Sequence, residues 1–129
     1  MIRMAAMSDT QTTLIKRRAE MKTGPIEACH GGGGAVDWVE VLGPADLSGR
    51  GVKFIHDDVL PPGASVGLHK HADDEEYYYI VSGEGVMTLD DKAVEVQAGD
   101  ITAVFPGGRH ALHNTGLTDL RFIVICTNP

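Results

Sequence analysis

The sequence predicts an all-β domain, an antiparallel sandwich or barrel, behind a flexible N-terminal arm. Two observations carry this. From Val36 to Cys126, short apolar segments alternate with clusters of turn residues, at a spacing of roughly 8–12 residues that marks strand-rich sandwiches and barrels. No helix is read after Gly31, and strands joined by tight turns need no crossover helix, which disfavours a parallel sheet.

Residues 1–35 are the arm. Thr10 to Lys22 is polar and basic, with one short strand expected at Thr12–Lys16 and a break at Gly24-Pro25. The run "HGGGG" from His30 to Gly34 reads as a flexible joint, because successive glycines carry a large ordering cost and no side chain to pack. Residues 36–129 are the β domain. Val36–Leu42 is β-rich and stops at Gly43-Pro44, and Gly51–Leu60 stops at Pro61-Pro62-Gly63. Ser65–His71 ends in an acidic turn, and Glu76–Val81 ends at Ser82-Gly83-Glu84-Gly85. Val86–Leu89 turns at Asp90-Asp91 into Lys92–Gln97. Ile101–Phe105 stops at Pro106-Gly107-Gly108, His110–Asn114 turns at Thr115-Gly116, and Leu120–Cys126 is the last strand. Glycine, proline and aspartate at these junctions are the residues that tight turns require.

Composition narrows the function classes. At 129 residues one core can hide roughly two-thirds of the surface an unfolded chain exposes. Eleven basic against eighteen acidic residues, a net charge of −7, argues against a nucleic-acid footprint, which needs clustered Lys and Arg. No apolar run approaches the roughly eighteen residues of a membrane span, and the opening "MIRMAAMSDT" lacks the apolar stretch of a secretory signal. Cys29 and Cys126 are too few and too far apart for a disulfide scaffold and read as free thiols of a reducing compartment. A cytoplasmic protein with no nucleic-acid or membrane partner is expected.

The chemistry concentrates in "GLHKHADDEEYYYIVSGEG", Gly67 to Gly85. In a strand, residues two apart share a face, so His69 and His71 project together and Lys70 points away. Two buried imidazoles without partners are costly, and a metal ion satisfies both. Asp73 and Asp74 read as a solvated acidic turn. A carboxylate on the strand that follows would add an oxygen ligand to two nitrogens, a mix suited to a divalent transition metal. Strand parity alone leaves Glu75 and Glu76 both open for that role. Tyr78 shares the inner face with Glu76 and Ile80, while Tyr77 and Tyr79 cover the outer face, a half-wet position that suits tyrosine.

These residues, with a second set downstream, resemble the two motifs of the cupin superfamily. The first reads Gly63, five residues, His69-x-His71, four residues, Glu76, six residues, Gly83. After a spacer of fifteen residues the second reads Gly99, five residues, Phe105-Pro106-Gly107, two residues, His110, three residues, Asn114. Phe105 stands where the motif has proline, the one departure. The resemblance implies a double-stranded β-helix, a conical jelly-roll barrel. It also implies His69, His71, Glu76 and His110 as ligands of a divalent transition metal, one of Fe, Mn, Ni, Cu, Co or Zn, and so favours Glu76 over Glu75.

One fold hosts many functions. A metal-dependent enzyme on a small polar organic molecule is the leading expectation, of dioxygenase, decarboxylase or lyase, or isomerase type. A non-catalytic cupin that binds or senses a small ligand is the alternative. Tyr78, on the inner face, and His56, which alternates with Phe54 and Asp58 on one strand, are the candidate catalytic groups. A strand histidine satisfied by its neighbours is the competing reading of His56. His113, of opposite parity to His110, is expected to point outward, His30 to be loop, Arg121 to lie on the surface and Cys126 to be a small buried hydrophobe. Small cupins are commonly homodimers, so a dimer is expected. Ligand histidines must be neutral, so metal affinity should fall below about pH 6, given an ordinary histidine pKa of about 6.5.

Overall fold

Alternating Val, Ile, Phe and Tyr build ten strands in the computed structural model, which describes residues 12–129. Residues 1–11, which hold the start of the arm and the opening stretch that lacks the pattern of a secretory signal, lie outside the described residues. The strands are β1 (Lys22–Glu27), β2 (Ala35–Leu42), β3 (Val52–Leu60), β4 (Ser65–Lys70) and β5 (Glu76–Ser82), then β6 (Glu84–Leu89), β7 (Lys92–Gln97), β8 (Ile101–Val104), β9 (Arg109–His113) and β10 (Leu120–Thr127). They form two sheets, of order β1-β2-β3-β10-β5-β8 and β4-β9-β6-β7. Every pairing is antiparallel. This is the antiparallel sandwich expected from the turn spacing, with the two-sheet jelly-roll layout that the resemblance implies. Among the described residues no helix is long and apolar enough to cross a membrane.

The sheets close on one core. Leu60, Ile80, Phe122 and Val124 face inward from the six-stranded sheet, and Val66, Met87, Val96 and Leu112 from the four-stranded one. Burying a side chain of the size of Phe122 or Leu60 contributes about 1.5–3 kcal/mol relative to leaving it exposed. Period-two alternation is plain in β10, where Leu120, Phe122, Val124 and Cys126 are buried and the residues between them are not.

The glycine turn that closes the first motif has a steric cause, and the second motif ends on a hydrogen-bonded asparagine. Gly83, between β5 and β6, has φ +88°, a left-handed conformation that L side chains resist. A Cβ there would also stand 2.4 Å from the Asp119 carbonyl oxygen. Asn114 ends β9 with no exposed surface. Its side-chain amide donates to the Leu60 and Thr118 carbonyls at 2.8 and 2.9 Å, and its oxygen accepts from the Gly116 N–H at 2.9 Å.

The N-terminal segment departs from expectation. Thr12–Lys16 is irregular, not a strand; its anchor is the Lys16 ammonium, 2.7 Å from Asp46. The strand falls instead at Lys22–Glu27, across the Gly24-Pro25 pair read as a break, with Pro25 opposite Asp37. Proline is tolerated because β1 is the outermost strand of its sheet among the described residues, where a missing N–H leaves no neighbour unpaired. The chain after Gly31 also holds one helical turn, α1 (Pro44–Leu47). Pro44 starts it, the Asp46 carboxylate accepts from the Gly43 N–H at 2.8 Å, and Ser48 ends it at φ +49°.

Candidate metal centre

His69 and His110 are brought together by pairing: they sit opposite each other on β4 and β9. Glu76 opens β5, in the other sheet. His71 lies one residue past β4, so the site straddles both sheets at one end of the core. The ligand-type atoms converge. His110 Nε2 lies 3.0 Å from His69 Nε2, 3.2 Å from His71 Nε2 and 3.1 Å from Glu76 Oε1. Glu76 Oε1 is 3.5 Å from His71 Nε2 and 3.8 Å from His69 Nε2. His71, Glu76 and His110 are buried and His69 nearly so. Glu75 points elsewhere, its carboxylate accepting from the Tyr77 hydroxyl at 2.9 Å.

The outer nitrogens fix which atoms face inward. His69 Nδ1 lies 2.8 Å from the Gly67 carbonyl, which can only accept, so Nδ1 carries the proton and Nε2 keeps its lone pair. His71 Nδ1 donates in the same way to Asp74 at 2.7 Å. A carboxylate or carbonyl behind each ring is the usual support of a metal-binding histidine. His110 Nδ1 is buried without a partner among the described residues, so its ring is held by packing, with Tyr78 4.8 Å away ring to ring.

Two lone pairs and a carboxylate around His110 Nε2 call for a cation. A proton there serves one contact at a time; a metal ion serves all four. A first-row metal with bonds of about 2.1 Å holds adjacent ligands about 3.0 Å apart at right angles and about 3.4 Å at the tetrahedral angle. The three separations from His110 Nε2 fit that range, and the His71–Glu76 and His69–Glu76 edges are longer, at 3.5 and 3.8 Å. The donor set, three imidazoles and a carboxylate, suits Mn, Fe, Co, Ni, Cu or Zn.

Charge follows the same geometry. Burial pushes the Glu76 carboxyl up, but hydrogen bonding to His110 and His69 outweighs it and holds the group at about 2. Burial pushes His69 down, yet Glu76 and the Gly67 carbonyl raise it overall. For His110 burial wins and the ring is lowered, against the pull of Glu76. The cluster borders an open cleft of about 370 Å³, whose walls include His30, Lys53, Phe54 and Asp74.

The remaining candidates divide. Tyr78 is buried between His110 and Phe122; burial, then the Glu76 charge, raises its hydroxyl far above the ordinary range. His56 stacks on Phe54 at 4.1 Å and meets Trp38 edge-on; Phe54 borders the cleft and His56 does not. His113 is exposed on the outer face. Arg121 lies at the surface, donating twice to Asp57 at 2.9 and 2.8 Å. Cys126 is buried, and burial pushes its thiol up to about 12.

Two readings need correction. Asp74, read as solvated, is largely buried and holds His71; an acid three residues after a ligand-type histidine was the available signal. His30, read as loop, stacks face to face on His69 at 3.7 Å with 10° between ring planes. No local pattern pointed to it.

Comparison with known proteins places this architecture. The family model for the cupin domain matches residues 57–126, and the chain belongs to the cupin family. It is 38% identical over 114 residues to an oxalate-binding protein of Thermotoga maritima, covering 88% of this chain and 93% of that one. An uncharacterized protein of Methanocaldococcus jannaschii is 40% identical over 81 residues, 62% of this chain and 64% of its own. The crystal structure of a predicted oxalate decarboxylase from Thermotoga maritima superposes with a TM-score of 0.83 at 35% identity, covering 90% of this chain and all of that one.

Proposed function

We propose that this cupin holds one divalent transition metal on His69, His71, Glu76 and His110 and binds a small dicarboxylate of the oxalate class beside it. The convergence of the three Nε2 atoms and Glu76 Oε1 carries the reading. The ligand class rests on the relative named an oxalate-binding protein. When bound, the metal supplies a concentrated positive charge and Lewis acidity for carboxylate oxygens. The chain supplies the rest. Gly67 and Asp74 hold the His69 and His71 rings, Glu76 cancels part of the cation's charge, and Phe54 gives the cleft an apolar wall. Tyr78 and His56, the catalytic candidates of the sequence, act as supports: Tyr78 against His110, His56 behind Phe54.

A decarboxylase is the second reading. There oxalate and one proton would give carbon dioxide and formate, and the cleft offers proton donors in His30 and Lys53. Two free thiols favour a reducing, cytoplasmic setting. The expected homodimer is assigned to the outer face of β5 and β8, where Tyr79, Val81 and Ile101 stay exposed.

Elemental analysis of chelator-free protein tests the site. About one metal ion per chain is expected, lost in His110→Ala and Glu76→Gln. Calorimetric titration with oxalate should show binding that chelation abolishes and that weakens as pH falls below about 6.5, where histidine protons compete. Full oxalate affinity after chelation would sink the reading. Formate released from oxalate by the metal-loaded protein would select the decarboxylase.

A further inference from the structure

The arm returns to the metal centre through a turn built for close approach. Ala28 and His30 both adopt left-handed backbone, φ +46° and +50°, followed by Gly31 at +79° and Gly34 at +64°. A non-glycine residue in that region carries on the order of 1 kcal/mol or more of strain and persists only where its surroundings enforce it. Here they do. Ala28 N–H donates to Gly34 at 2.9 Å, and Gly33 and Ser65 exchange two bonds at 2.8 and 2.9 Å, tying the turn to β4. The contact needs a bare backbone on both sides. A Cβ on Gly67 would meet the His30 carbonyl oxygen at 2.0 Å, and one on Gly32 would meet the Ser65 carbonyl oxygen at 2.1 Å.

What the turn delivers is the His30 imidazole. It lies flat on His69 at 3.7 Å and borders the same cleft as His69, His71 and Glu76. It is not one of the four residues whose ligand atoms converge, and its ring nitrogens make no hydrogen bond to another described residue. A neutral imidazole always keeps one N–H donor. Lys53, on the same cleft, already faces Asp74 at 3.8 Å.

We propose that His30 is a ligand-contacting residue that sets the preference for dicarboxylates. One carboxylate takes the metal side of the cleft, and the His30 N–H donates to the other. This rests on the metal-dependent dicarboxylate reading above.

The test uses full-length, Mn(II)-loaded protein, with oxalate and acetate as probes. His30→Phe keeps a flat ring on His69 and removes both nitrogens; His30→Gln returns a donor. Oxalate binding should weaken about tenfold or more in His30→Phe, the scale of one hydrogen bond to a charged group. Acetate binding and Mn content should stay unchanged, and His30→Gln should recover part of the loss. Unchanged oxalate affinity in His30→Phe with Mn retained overturns the proposal and leaves the metal reading intact. Loss of Mn from His30→Phe also overturns it, since His30 would then act by holding His69. Wild-type protein that takes up no Mn, or binds oxalate equally well without it, removes the metal reading and this proposal together.

Discussion

Asp58 on β3 is a carboxyl group packed where a carboxylate is costly. Burial, opposed by the Val39 N–H and reinforced by the charges of Asp57 and Glu76, raises it to about 7. Two residues earlier, burial lowers His56 to about 4, with Glu76 pulling the other way. The two groups stand 3.8 Å apart, within ion-pair range, yet each shift favours the neutral form, so they are not an ion pair. The signs oppose. Between about 4 and 6.5 the folded state binds fewer protons at His56 than the unfolded chain does, so that contribution to stability is lost as pH falls. At Asp58 the folded state binds more protons, so its contribution is present at low pH and lost as pH rises toward 7. We expect Asp58→Asn to gain stability relative to wild type as pH rises from about 4 to 7. The gain is at most about 1.4 kcal/mol per unit of pKa shift, read from urea midpoints across that range. A difference that does not vary with pH would refute it. At this scale legibility depended on locality. Alternation alone puts His69 and His71 on one face, whereas Glu76 and His110 are picked out through the resemblance to the two cupin motifs, since strand parity leaves Glu75 and Glu76 both open. His30 is not legible, because its stacking depends on where a glycine-rich turn lands on β4.

The element scale shows why strand reading worked in the domain and failed in the arm. From β2 to β10, turn residues interrupt β-rich segments whose alternation matches a buried face. At β1 the sequence Lys22–Glu27 contains Gly24-Pro25, residues that break a central strand; only its outermost position in the sheet allows it, and no local pattern reveals that position. Asn114 is the clearest joint between elements, since one amide bonds the ends of β3 and β9 and the loop before β10. Asn114→Ala would strand the buried Leu60 carbonyl, at about 1–3 kcal/mol for an unsatisfied buried group, and would also lose the part-buried bonds to Thr118 and Gly116. We expect a loss of roughly 3 kcal/mol or more in chemical denaturation. A loss under about 1 kcal/mol would mean that water or loop movement replaces these bonds.

At the scale of the whole molecule, polar and apolar surfaces are unevenly shared. The outer face of the six-stranded sheet carries an ion cluster, Arg121 and Arg18 on Asp57, and burial's upward push on Asp57 is overcome by the Arg121 hydrogen bond, which leads the effects that hold it below the usual carboxylate range. Toward the other edge, Tyr79 pairs directly with Ile101, both exposed. If two copies meet there, Ile101→Lys with Tyr79→Lys should halve the sedimenting mass without altering the circular dichroism spectrum. A wild-type chain that sediments as a monomer at tens of micromolar would refute the dimer. The opposite edge is closed differently. A seeded fibre or a swapped neighbour strand would need an unbroken row of donors along β1, and Pro25 withholds one. Behind it lies β2, eight residues rich in Val, Trp and Leu, which would be a far stickier border. The outermost strand thus serves as a terminator of sheet growth, and a chain clipped before β2 would lose that protection while keeping every residue of the metal cluster.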